Sequence, residues 1–339
     1  SDTCPRYTYS SDNRGLQNIR LYSALELEEW IHWLEEAKKQ KRYGSSSKLI
    51  ASIMGTSPSE LSYLAKKIEK TGIDGIEIGF ACPMGEGQDI IAGDPERVYA
   101  YTSEVVKSVH VPVSVKLSAA AGNLSAVVEA AGRAGASGIS GIDTLRCILK
   151  INIETGKPDL PTYGGYSGAP IRPIGLATIA SIAQCTELPV IGMGGIENSE
   201  NLIEYIMAGA SAGAIGTAIL LHGYDVVTRT IRDLESWLQA HGVKSIDQIR
   251  GRALPELHSF EEIKRELKQA RFIEATNDAS FRNRAECREC RECIDSCLHN
   301  AISLPNSASR PGSQIQIDPD LCDGCGLCVS VCPEQKLIL

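Results

Sequence analysis

From Ser23 onward the chain switches repeatedly between two spacings of apolar residues. Apolar positions three and four apart mark amphipathic helices, and the short continuous apolar runs between them mark buried strands. The first helix is expected at Ser23, where Ser23-x-x-Glu26 reads as a capping box, Leu27, Trp30, Ile31 and Leu34 share one face, and Lys38 to Arg42 suit the C-terminal dipole. A strand over 49–54 follows, then a second capping box, Ser57-Pro58-Ser59-Glu60, with proline at the first helical position. The same reading gives strands over 73–80, 111–117, 136–142, 189–193 and 212–216. Helices are expected from Asp94 and over 124–133, 174–184, 200–207 and 226–239, with 143–173 left as a long loop.

This alternation predicts parallel strands joined by crossover helices. Thr71-Gly-Ile-Asp74, Ala134-Gly-Ala-Ser137 and Ala208-Gly-Ala-Ser211 each end a helix on glycine and enter a strand, so one βα unit recurs. Six such strands are too few for a closed (β/α)8 TIM barrel, and we expect the first two strands of one to be absent from this chain. After Leu254 a charged helix over 260–271 and a polar stretch over 275–286 are expected. The resulting division is 1–250 for the barrel, 251–285 for a linker with one helix, and 286–339 for a second domain.

That second domain contains Cys287, Cys290, Cys293 and Cys297, then Cys322, Cys325, Cys328 and Cys332 before Pro333. Each quartet is C-x2-C-x2-C-x3-C, in which three thiolates of one loop grip a [4Fe–4S] cube and the fourth crosses to the partner cluster. The spacing predicts cluster one on Cys287, Cys290, Cys293 and Cys332, and cluster two on Cys322, Cys325, Cys328 and Cys297, in a ferredoxin-like fold. Zinc sites come instead as two C-x2-C pairs, and a run of three does not suit them.

Composition narrows the partners. A formal charge of −8 with no basic stripe argues against nucleic acid. No run of eighteen apolar residues and no signal-peptide pattern is present, so we expect a soluble, cytoplasmic protein without a membrane partner. Abundant cluster-spaced thiols suit a reducing compartment.

In a barrel, function gathers on loops after the strands. Cys82 stands at the root of the glycine-rich loop Ala81-Cys-Pro-Met-Gly-Glu-Gly87 and is either a small buried residue or a general acid. Lys116 interrupts the apolar strand Val113-Ser-Val-Lys-Leu117, either snorkelling at its end or facing an anionic cofactor. Gly194, Gly195, Gly216 and Thr217 follow the last two strands, where backbone N–H groups can build a phosphate site. With Tyr163-Gly-Gly-Tyr-Ser-Gly168 upstream, a flavin phosphate is the favoured occupant. No G-x-G-x-x-G follows a strand, so no Rossmann-type NAD site is expected and electrons should arrive through the clusters.

Taken together, Leu49-Ile-Ala-Ser-Ile-Met-Gly55, Ala81-Cys-Pro83, Val115-Lys-Leu117, Tyr163 to Pro173, Gly192-Met-Gly-Gly-Ile196 and both cluster motifs resemble the dihydroorotate dehydrogenase superfamily. The likeness is to its ferredoxin-tailed branch, that of the catalytic subunit of dihydropyrimidine dehydrogenase. It implies an FMN-binding barrel with Ser1 falling after the second strand. Under the resemblance Cys82 is the active-site cysteine, and Lys116, Ser167, Gly168, Gly194, Gly195, Gly216 and Thr217 contact FMN. Asn18 and Thr144 match substrate contacts, and Met84 and Asp143 occupy two further substrate positions.

Three positions depart from the family. Gly79 replaces an asparagine, Met84 an asparagine or histidine, and Asp143 an asparagine. A site built from hydrogen bonds rejects mismatched ligands, so retained chemistry on a different substrate is expected. The leading expectation is an FMN and iron–sulfur oxidoreductase reducing an activated C=C of a small unsaturated, cyclic substrate, with the proton from Cys82. Its electrons would come from a flavoprotein subunit using FAD and NAD(P)H, or from a ferredoxin, in a homo- or hetero-oligomer. A true dihydropyrimidine dehydrogenase acting on uracil or thymine and a non-catalytic electron-relay subunit are the alternatives.

Overall fold

The computed structural model describes residues 5–12, 14–20, 23, 25–40, 46–80, 88–259, 262, 271–272, 290–304 and 315–338. The chain divides into two compact units, Ser1–Leu257 and His258–Leu339.

The first unit opens on a hairpin of β1 (Tyr7–Ser10) and β2 (Gly15–Asn18). There follow α1 (Leu27–Gln40), β3 (Ile50–Ile53), α2 (Pro58–Glu69), β4 (Gly75–Gly79), α3 (Gln88–Gly93), α4 (Pro95–Val106), β5 (Val113–Leu117), α5 (Leu124–Arg133) and β6 (Gly138–Gly141). After β7 (Leu145–Cys147) and β8 (Gly164–Gly168) the alternation resumes with α6 (Arg172–Cys185), β9 (Val190–Met193), α7 (Ser199–Met207), β10 (Ala212–Ala214), α8 (Thr217–His222) and α9 (Asp225–Ala240). No helix among the described residues is long and apolar enough to cross a membrane.

Strands β3, β4, β5, β6, β9 and β10 lie side by side in that order, each pair parallel. A doubly wound sheet reverses direction at a switch point. Here each strand is laid down beside its predecessor, which is the winding of a TIM barrel. Local chemistry sets the helix starts between them. Ser57 Oγ accepts the Glu60 N–H at 3.2 Å at the head of α2, and Asp94 Oδ1 accepts the Glu96 and Arg97 N–H groups at 3.0 and 3.2 Å at the head of α4. Such caps contribute about 1 kcal/mol each. At α1 the outcome differs from expectation: Ser23 Oγ is spent on the Leu25 N–H at 3.0 Å, and the helix begins at Leu27.

Alternation along the strands gives the sheet two different faces. Ala51, Ile53, Ile76, Ile78, Val113, Val115 and Leu117 are buried in one core with Leu61, Ala65, Val98, Val105 and Val127 of the surrounding helices. The intervening Ser52, Glu77 and Lys116 are polar, and Ser52 and Ser140 both donate to Glu77. Barrel interiors are usually filled by apolar layers, so this polar stripe makes that face a candidate functional face.

The expected long loop after β6 carries two strands, one at each end of an irregular stretch. β7 and β8 pair with the N-terminal hairpin as an antiparallel sheet in the order β1-β2-β8-β7. Fully buried Gln17 ties it together, accepting the Leu149 N–H at 2.8 Å and donating to Thr162 O at 3.3 Å. Gly164 and Gly165 are required there, because a Cβ would run into Asn18 O and Thr144 Oγ1.

The second unit contains a repeat. A residue in the left-handed region, Arg291 at φ 68° and Gly326 at φ 78°, precedes each of the short helices α10 (Glu292–Asp295) and α11 (Leu327–Val331). Beyond each helix a second left-handed residue, Asn300 or Gln335, turns the chain so that the next N–H meets a thiol: Ala301 N–H on Cys297 Sγ and Lys336 N–H on Cys332 Sγ, both at 3.3 Å. Two small antiparallel pairs, β11 (Arg271–Phe272) with β14 (Leu337–Ile338) and β12 (Ile302–Ser303) with β13 (Gln316–Ile317), complete it. Arg271, expected to end a helix, is therefore in a strand; the remainder of that helix, apart from Glu262, and the stretch 275–286 lie outside the described residues.

Candidate active site and cluster ligands

The C-terminal ends of β6, β9 and β10, together with β8, enclose a cleft of about 660 Å³ including its open mouth. Ser167, Gly168, Gly194, Gly195, Gly216 and Thr217 all line it, as do Asp143 and Thr144. Thr217 Oγ1 donates to Ser167 Oγ at 2.8 Å, joining the wall from β8 to the wall from β10.

Glycine is needed at the floor for two reasons. Gly194 and Gly195 have φ of 120° and 70°, and a Cβ on Gly195 would stand 2.7 Å from Gly168 O. Gly195→Ala is therefore expected to add left-handed strain of about 1–2 kcal/mol to that clash. Flavin content per chain and the thermal midpoint should both drop, and native flavin content in the variant would remove this loop from the cofactor site. Behind the loop, fully buried Tyr205 donates to Gly194 O at 2.7 Å and sits 3.2 Å from Met193 O, and burial pushes its phenol well above the ordinary value. Sequence reasoning missed Tyr205; its signal is that Gly175 and Gly192 leave space for its ring.

Lys116 does not line the cleft but reaches it through Asp143. Its Nζ lies 3.5 Å from Asp143 Oδ2 and 3.3 Å from Glu77 Oε1. Burial alone would lower the Lys116 pKa, but the Asp143 and Glu77 carboxylates together outweigh it and hold the ammonium above the ordinary lysine value. Asp143 Oδ1 accepts the Thr144 N–H at 2.6 Å. Snorkelling is thus not the account of Lys116. Glu77 was not singled out by sequence, although a charge inside Gly75-Ile-Glu-Ile-Gly79 is the same signal that marked Lys116. At the mouth, Glu197 also lines the cleft and is paired at 2.7 Å with Arg14 from the β1–β2 turn.

Asn18 is placed differently. It stands on β2 opposite Gly165, and its carboxamide oxygen accepts the Arg20 N–H at 3.2 Å rather than lining the cleft. Gly79 lies against Met54, whose Cγ would be 3.2 Å from an added Cβ, so an apolar side chain covers that position. Cys82 and Met84 lie outside the described residues.

In the second unit Cys297, Cys322, Cys325 and Cys328 line one cavity. Burial pushes the Cys328 thiol up, and Cys322, Cys325 and Cys297 push it the same way. Thiols arranged around one cavity suit an iron–sulfur cube. Cys290, Cys293 and Cys332 belong to the other expected set, whose Cys287 lies outside the described residues.

Known proteins resemble both units of the chain. Residues 13–238 match the dihydroorotate dehydrogenase family, and residues 286–336 match the 4Fe-4S dicluster domain. The catalytic subunit of dihydroorotate dehydrogenase B (NAD(+)) from Pyrococcus furiosus is 36% identical over 226 residues, covering 66% of this chain and 74% of that protein. Its counterpart from Bacillus pumilus is 33% identical over 242 residues, covering 70% and 74%. The dihydroorotate dehydrogenase of Eimeria tenella in complex with ferulenol shares the fold at a TM-score of 0.65 and 16% identity, over 74% of each chain. The family match spans the β6, β8, β9 and β10 segments that build the cleft, and the chain belongs to the dihydroorotate dehydrogenase family as a flavoprotein oxidoreductase of CH–CH bonds with a [4Fe–4S] domain.

Proposed function

We propose that this protein reduces an activated C=C of a small unsaturated, cyclic substrate, using FMN and electrons that enter through two [4Fe–4S] clusters. The observation that carries this reading is the convergence of Ser167, Gly168, Gly194, Gly195, Gly216 and Thr217, from separate segments, on one cleft that also holds Asp143 and Thr144. When bound, FMN supplies the hydride for one carbon of the double bond, and the clusters relay the electrons that restore it.

The chain's own residues do the rest. The glycines let backbone N–H groups approach a phosphate closely. Lys116 offers positive charge to the flavin, and Asp143, Thr144 and Met84 contact substrate. Cys82 gives its thiol proton to the second carbon and regains one from solvent. Cys287, Cys290, Cys293 and Cys332 hold one cluster, and Cys322, Cys325, Cys328 and Cys297 the other. Residues 1–250 form the barrel, 251–285 the connection and 286–339 the ferredoxin-like domain. The electron donor is a flavoprotein subunit using FAD and NAD(P)H, or a ferredoxin.

The test is to purify the protein without oxygen, record its visible spectrum, reduce it, and follow the flavin band on mixing with uracil, thymine and other unsaturated ring compounds. Flavin and cluster absorption together, with reoxidation by one of the other compounds, is the expected result. Rapid reoxidation by uracil or thymine identifies a dihydropyrimidine dehydrogenase instead. Cluster absorption without flavin means an electron-relay subunit.

A further inference from the structure

We propose that Glu77 is a positioning residue that sets the reduction potential of the bound flavin by countering the charge of Lys116. The proposal rests on the reading that FMN occupies the cleft. Three ionisable side chains form a row from the sheet's polar face to the cleft wall: Glu77 on β4, Lys116 on β5 and Asp143 after β6. One cation stands between two carboxylates, at 3.3 and 3.5 Å, with side-chain exposures of 14% for Glu77, 19% for Lys116 and 21% for Asp143. The row therefore carries a surplus negative charge, and its Asp143 end lines the cleft.

Glu77 is fixed from several sides. Its Oε2 accepts from the fully buried hydroxyl of Ser140 on β6 at 2.7 Å, and its Oε1 accepts from Ser52 on β3 at 3.1 Å as well as facing Lys116. Neighbouring Ile76 and Ile78 are buried on the opposite face. An arrangement that draws polar groups from β3, β5 and β6 onto one carboxylate is costly as a device for stability, because well-packed apolar residues usually do as well. Its consequence is electrostatic. In a site of low dielectric a fixed charge acts strongly on its neighbours, so a carboxylate held against Lys116 weakens the positive field that the lysine projects into the cleft. Negative charge gained by the cofactor on reduction is then stabilised less, and the potential is kept low. Asp143 borders the cleft itself, whereas Glu77 acts through Lys116.

The experiment is a reductive titration of the full-length holoprotein against a redox dye, following the flavin band, in the native protein, Glu77→Gln and Glu77→Asp. Glu77→Gln keeps the shape and removes the charge. It should shift the ratio of reduced to oxidised flavin at a fixed potential about tenfold toward reduced, which is about 30 mV upward for a two-electron couple. Glu77→Asp draws the charge back by one methylene and should shift the ratio the same way by less. If Glu77→Gln cannot be prepared with flavin, the upward shift in Glu77→Asp carries the test. An unchanged or lower potential in whichever variants retain flavin overturns the proposal. Altered thermal stability with an unmoved potential also overturns it, since that is what a merely structural Glu77 gives. A native protein that holds no flavin is a different failure, that of the cofactor reading itself.

Discussion

Cys82→Ser should still bind flavin and accept electrons at the native rate, while turnover falls roughly 10²- to 10⁴-fold, the usual worth of a general acid. An ordinary thiol, with a pKa of about 8.5, holds its proton at neutral pH and can release it in the transition state. A serine hydroxyl is a far weaker acid and leaves the developing carbanion without a matched donor. Cys82→Ala removes the donor altogether and should be at least as slow. Two half-reactions separate this role from a general defect. Anaerobic reduction of the flavin through the clusters involves no carbon acid and should be unaffected. Reoxidation by whichever ring compound reoxidises the native enzyme should slow by nearly the full factor. Native turnover in Cys82→Ser would falsify the assignment and send the search for the proton donor to the residues that line the cleft.

How far the sequence revealed this molecule depended on the range of the signal. The parallel strands and crossover helices of the first unit were legible because each is a local pattern with its own punctuation. Ser57 and Asp94 announce helix starts and do cap them. The cluster spacing was equally local, and Cys297, Cys322, Cys325 and Cys328 line one cavity. The antiparallel sheet was not legible. Its strand Gly164–Gly168 is mostly glycine, and its partner Gly15–Asn18 lies about 150 residues earlier, so neither propensity nor spacing betrays the pair. Lys116 was found because a charge inside an apolar strand demands a partner. Glu77 is that partner together with Asp143, and only the register that sets β4 beside β5 identifies it. Asn18 shows the opposite case, a residue whose match to a family position did not foretell that its carboxamide would serve its own backbone.

Lys116→Met carries the largest expected cost in stability, because it strands two carboxylates that now share one cation. Removing one partner of a buried ion pair typically costs about 3–5 kcal/mol. We expect the lower end of that range, since Glu77 retains Ser52 and Ser140 as donors and Asp143 retains the Thr144 N–H. The pH dependence has a definite sign. Lys116 is held above its ordinary value in the folded protein, so its contribution is complete below the unfolded lysine pKa of about 10.4 and is lost as pH rises through the folded value. Denaturant unfolding at pH 7 should therefore show the full deficit of Lys116→Met, and the gap to the native protein should narrow only above about pH 10.4. Flavin reduction gives an independent reading: without the lysine's positive charge the potential should move down, opposite to Glu77→Gln. A variant as stable as the native protein at pH 7 would mean that Glu77 and Asp143 do not depend on Lys116 for their place in the fold. A deficit that persisted undiminished into strong alkali would mean that the lysine acts through its methylenes packing against the sheet and not through its charge.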